Sequence, residues 1–136
     1  MNSSPSTARI LIADTDPVTA ARLEGMLRDG GYPNVRMTTD FSEVTRMFDK
    51  WSFDLLLIGF DRGSSSGVQI ISDLTTPNDE VENQPIVLAV VNNSDRNVQE
   101  RALIAGARDL ISRPASWTEV MNRVRNALDF CLTKTA

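Results

Sequence analysis

The chain has 136 residues, 41% hydrophobic and 24% charged, the proportions of one globular domain long enough to bury a core without disulfide or metal staples. Its formal net charge of −4 argues against a nucleic-acid surface, which needs a basic face to neutralise phosphates. No histidine and a single cysteine, Cys131, exclude imidazole acid–base or metal chemistry and an intrachain disulfide, and fit a reducing cytoplasm.

Met1 to Ala8 is polar and lacks the apolar stretch of a signal peptide, so residues 1–8 are expected to be a disordered leader. No apolar run approaches the ~20 residues of a membrane helix, and no membrane contact is expected. Arg9 to Ala13 is a short buried strand running into Asp14-Thr15-Asp16. Asp16 before Pro17 is an N-cap with proline in the first turn; it opens a helix that ends near Gly30-Gly31, with Ala20, Leu23 and Leu27 inward and Met26 beside them. Asn34 to Thr39 alternates as a second strand, and Asp40 with Glu43 forms a capping pair for a helix to about Lys50, with Val44, Met47 and Phe48 inward.

Phe53 to Ile58 is apolar except for Asp54 and closes on Gly59, the pattern of a central strand buried on both faces of a parallel sheet. Functional groups of open α/β sheets sit just beyond such strand ends, which places Gly59 to Asp61 at the site. A helix from Gly67 to about Thr75, stopped by Pro77, precedes a polar, acidic loop from Pro77 to Gln84. Pro85 to Val91 is another buried strand, Ser94 or Asp95 opens a helix closed by Gly106, and Arg108 to Ile111 is a short fifth strand. Ser116 to Glu119 is a capping box for the last helix, with Val120, Val124, Ala127 or Leu128 and Cys131 at helical spacing. Five alternations of strand and helix predict a doubly wound parallel sheet covered on both faces.

The stretch Asp54-Leu55 through Gly59 to Gly67 resembles the third strand and following loop of bacterial response-regulator receiver domains, and the likeness runs from about Arg9 to Leu132. It implies a flavodoxin-like (CheY-like) sheet in the order 2-1-3-4-5, a receiver-like domain over residues 9–132, and a tail at 133–136 leading toward an output domain. It also implies two-component signalling rather than enzyme activity, and a protein partner, an output domain or a second copy on the face of the fourth helix, fifth strand and fifth helix. Arg101, Arg108, Asp109, Arg123 and Arg125 would supply that face's charges. The C-terminal stretch is similar to receivers ahead of catalytic output domains, including those of cyclic-dinucleotide signalling.

Aspartyl phosphorylation needs a carboxylate nucleophile, a divalent cation held by acids, and a fixed cation on the phosphoryl oxygens. The resemblance puts the family's phosphoacceptor at Gly59, which has no side chain to phosphorylate. Asp14 matches the first acid of the first strand end, Thr15 stands at the second, and Asp16, at the third, reads as a helix cap. The family's strand-four threonine or serine falls on Val90, its strand-five switch aromatic on Leu110, and its lysine on Arg113, which keeps the charge but not the compact ammonium. Pro114 matches the family's proline, implying a cis bond before it.

A degenerate receiver, or pseudo-receiver, that signals by protein contacts is therefore expected, with no cofactor and with Asp14 the one candidate for holding a hydrated Mg²⁺. Two alternatives are a Mg²⁺-dependent phosphoacceptor using Asp61, and a regulatory module binding a small anion between Asp14, Gly59 and Arg113. The Ser64-Ser65-Ser66 hydroxyls read as a flexible turn. An ion pair from Arg113 to Asp14 or Asp61 would hold the pocket in one state, and Trp51 and Trp117 read as partly buried covers at helix edges.

Overall fold

The computed structural model describes residues 7–59, 65–75, 84–92 and 94–135, with side chains over 7–59, 67–75, 84–92 and 94–129. Most of the leader, most of the acidic loop with Pro77, Asp61, the hydroxyls of Ser64 to Ser66 and the Cys131 side chain lie outside the described residues. In chain order the elements are β1 (Ile10–Ala13), α1 (Pro17–Asp29), β2 (Val35–Thr38), a 3-10 turn (Phe41–Glu43), α2 (Val44–Trp51), β3 (Leu55–Gly59) and α3 (Ser65–Leu74). The second half comprises β4 (Ile86–Asn92), α4 (Arg96–Ala105), β5 (Asp109–Arg113) and α5 (Trp117–Thr135). The strands form one parallel sheet in the order β2-β1-β3-β4-β5.

Successive strand residues point to opposite faces of the sheet, and this sorts the core into two layers. Ile10, Ile12, Leu55, Leu57, Leu88 and Val90 pack on one side with Ala20, Leu23 and Leu27 of α1 and Val120, Val124 and Leu128 of α5. Leu11, Ala13, Leu56, Ile58, Ala89 and Val91 pack on the other with Val44 of α2, Ile70 and Ile71 of α3, and Val98 and Ala102 of α4. All five residues of β3 are buried, because a parallel strand in mid-sheet has helices over both faces.

Asp16 caps α1, accepting from the Val18 amide at 3.1 Å and the Thr19 hydroxyl at 2.8 Å. Asp95 caps α4 by accepting from the Val98 amide at 3.2 Å. Gly106 ends α4 at φ 131°, and a Cβ there would overlap the Thr75 Oγ1 that bonds the Ile71 carbonyl at 2.6 Å. Glycine is required twice over at that bend.

Several boundaries and caps differ from the sequence reading. Ala8 is 6% exposed and joins the core, so the packed chain begins before Arg9. Asp40 caps a 3-10 turn rather than α2, through Ser42. Glu43 does not return to the Asp40 amide, which donates to Thr38 Oγ1 at 3.1 Å; Glu43 pairs instead with Arg46 at 2.9 Å and accepts from Thr38 Oγ1 at 3.3 Å. β5 runs on to Arg113, pairing Ser112 with Val91 and Arg113 with Asn92. Ser116 Oγ accepts from the Glu119 amide at 3.1 Å, but the Glu119 carboxylate turns to the Ser112 amide, also at 3.1 Å. That half of the expected capping box ties α5 to β5 instead.

Candidate functional site

The C-terminal ends of β1, β3, β4 and β5 lie side by side, where open α/β sheets place their chemistry. Register fixes who meets whom: Ala13 pairs with Ile58, Gly59 with Val90, Val90 with Ile111, and Asn92 with Arg113. Asp14, one residue past β1, is 3% exposed. Its backbone amide donates to the Thr38 carbonyl at 3.1 Å and its Oδ1 accepts from the Asp16 amide at 2.9 Å. These bonds hold its carboxylate against the end of β3.

Gly59 is the buried last residue of β3. A Cβ built there would overlap Asp14 Oδ2 and lie 2.7 Å from its Cγ, closer than real Cβ contacts come. The Asp14 carboxylate thus takes the space that any side chain at position 59 would enter.

Thr15 is exposed and brings no carboxylate to this edge. Both oxygens of Asp16 are engaged at the head of α1, and its carboxyl is held below the usual range by the Thr19 hydroxyl first and the Val18 amide second. Among the described residues no three acids or thiols converge.

Val90 is 1% exposed in the α1/α5 layer, and Leu110 is partly buried against the α2/α3/α4 layer. Neither carries a side-chain polar group. Arg113 Nη2 donates to the Val90 carbonyl at 3.1 Å, carrying the guanidinium back across β4. The Arg113–Pro114 peptide is cis. Beside these residues a cavity of about 300 Å³ opens between α1 and the ends of β4 and β5; Arg113 and Val90 line it, while Asp14 and Gly59 do not. The helix-capping pattern gives Asp16 away in the sequence, but Arg22 and Asn92, which also line this cavity, carry no motif and were visible only in three dimensions.

A five-stranded parallel sheet in this order, with helices on both faces and a buried acid at the end of β1, is the architecture of CheY-like, flavodoxin-like receivers. The chain belongs to the response regulator receiver domain family, whose model matches residues 10–125. It is 30% identical over 119 residues to the TorCAD operon transcriptional regulatory protein TorR of Escherichia coli K12, covering 88% of this chain and 49% of that protein. It therefore spans about half the length of that relative. Among solved structures, the receiver domain protein (CheY-like) of Methanospirillum hungatei superposes with a TM-score of 0.78 at 21% identity, over 95% of this chain and 99% of that one. The response regulator receiver of Bermanella marisrubri superposes at 0.75 and 22%, over 90% and 98%. Among the described residues no helix is long and apolar enough to cross a membrane.

Proposed function

We propose that this receiver domain of a two-component response regulator works as a pseudo-receiver, passing its signal by protein contacts without phosphorylation of an aspartate. The observation that carries this reading is the end of β3: Gly59 offers no nucleophile, and the Asp14 carboxylate fills the room in which one would stand. The other altered positions agree with it. Thr15 removes a metal ligand, Val90 removes a hydroxyl, Leu110 removes the aromatic switch, and Arg113 replaces a compact ammonium with a fork already committed to the Val90 carbonyl.

Without phosphoryl chemistry, the message passes through a surface. The face of α4, β5 and α5 is the proposed contact for a protein partner, an output domain or a second copy. Ile104 is 85% exposed, Leu103 45% and Trp117 47%, and large exposed apolar side chains of this kind are common anchors of interfaces. On this reading the protein acts in the cytoplasm and its output is carried by a further domain, since the chain spans about half the length of the relative it matches.

The test is a comparison of amide NMR spectra of the chain with and without beryllofluoride and Mg²⁺, which together mimic an aspartyl phosphate. Superimposable spectra at the ends of β1, β3 and β5 are expected. Saturable shifts there would contradict the reading and favour an acceptor elsewhere in the loop, Asp61 first.

A further inference from the structure

The cavity between α1 and the ends of β4 and β5 is built like a ligand site, and it is separate from the strand-end acid. Its volume of about 300 Å³ stands at the lower end of small-molecule pockets and equals about ten water volumes. Its polar lining comes from Thr19, Arg22, Asn92 and Arg113, and its walls from Leu23, Met26, Val90 and Ala115. Mostly apolar walls with a few convergent polar groups are the usual composition of such pockets.

The polar groups are mostly donors. Arg22 makes no hydrogen bond or ion pair among the described residues, so its five guanidinium N–H groups are available. Asn92 spends its side-chain oxygen on the Ser94 amide at 3.0 Å and hydroxyl at 2.7 Å, which leaves the Nδ2 amide as its remaining donor. Arg113 is steadied by its bond to the Val90 carbonyl. Among the described residues the lining holds two guanidinium groups and no carboxylate.

A planar guanidinium fork recognises carboxylate and phosphate alike. With Arg113 bonded to the Val90 carbonyl, the fork left to grip a ligand is that of Arg22, which matches the two oxygens of a carboxylate, and the apolar walls favour an anion with an apolar body over inorganic phosphate.

We propose that this cavity binds a small organic carboxylate, its oxygens on Arg22 and the Asn92 amide and its apolar body against Leu23, Met26 and Val90. This inference does not need the pseudo-receiver reading: the two share Val90 and Arg113, but neither Asp14 nor Gly59, which carry that reading, lines the cavity.

The experiment is an amide NMR titration of the whole chain with benzoate, run beside benzyl alcohol, phenyl phosphate and inorganic phosphate. Saturable shifts with benzoate are expected at residues 19–26, 90–92, 113 and 115. Benzyl alcohol, which lacks the charge, and inorganic phosphate, which lacks the apolar body, should each bind at least about tenfold more weakly. Arg22→Gln should weaken benzoate about tenfold with an unchanged Tm, since Arg22 is exposed and holds nothing else in place. Phenyl phosphate binding more tightly than benzoate would overturn the choice of carboxylate. The site itself would be overturned by the absence of saturable shifts, by inorganic phosphate matching benzoate, or by an Arg22→Gln variant that binds as the parent does.

Discussion

A methyl group on Gly59 would press into the Asp14 carboxylate, which is buried and held by the Asp16 amide. Overpacking of a close-packed site costs about 1–3 kcal/mol, so Gly59→Ala is expected to destabilise the chain by that amount in urea melts. In an Asp14→Ala background the same change should become neutral or stabilising, because a strand residue gains from losing glycine's freedom. Equal effects in the two backgrounds would show that the two positions do not compete for space. Asp16 gives a second prediction at this scale. Its carboxyl lies below the usual value because the Thr19 hydroxyl and then the Val18 amide donate to it. A lowered pKa means that the cap's contribution is complete above the unfolded value of about 3.9 and disappears as pH falls through the lower folded value. Tm of the parent should therefore lose ground to Asp16→Ala as pH drops below about 4, with the gap between them constant from pH 5 to 7. A gap that persists at the acid end would contradict the capping role. Asp16 was readable in the sequence because Pro17 follows it, whereas the Gly59–Asp14 contact joins residues 45 positions apart and needed the register of β1 on β3.

At the scale of elements, alternation of apolar runs and caps carried the order of strands and helices, and the resemblance supplied the sheet order. The errors fall where one side chain had two partners to choose from. Glu43 and Glu119 both sit three residues after a capping residue, yet each turns away from its cap, Glu43 to Arg46 and Thr38 and Glu119 to the Ser112 amide. Local spacing cannot see a neighbouring strand. The bond from Ser112 to Glu119 is partly buried and joins the last strand to the last helix. Glu119→Ala is expected to cost about 1–3 kcal/mol, since it leaves the Ser112 amide without its acceptor, and Glu119→Gln should recover most of that. By contrast, the Arg123–Asp109 pair, 3.0 Å apart with side chains 42% and 39% exposed, is worth under about 1 kcal/mol. The fifth strand was read from Arg108 to Ile111, one residue early at its start and two at its end; Ser112 and Arg113 are polar, but backbone pairing with Val91 and Asn92 does not ask for apolar side chains.

For the whole molecule, the fold is that of a receiver, and the function proposed above rests on Gly59 at the end of β3. A signal that does not pass through a phosphoryl group must pass through a surface, and Ile104 on α4 is the most exposed large apolar residue described there. Ile104→Asp is expected to abolish self-association or partner binding in analytical ultracentrifugation while leaving Tm within about 2 °C, as befits an exposed position. Unchanged association would move the contact to another face. The central claim, that no aspartate here accepts a phosphoryl group, is tested most directly by incubating the chain with acetyl phosphate and Mg²⁺ and recording its intact mass. A single unmodified species is the predicted result, and a stoichiometric adduct of one phosphoryl group, labile to hydroxylamine, would contradict it.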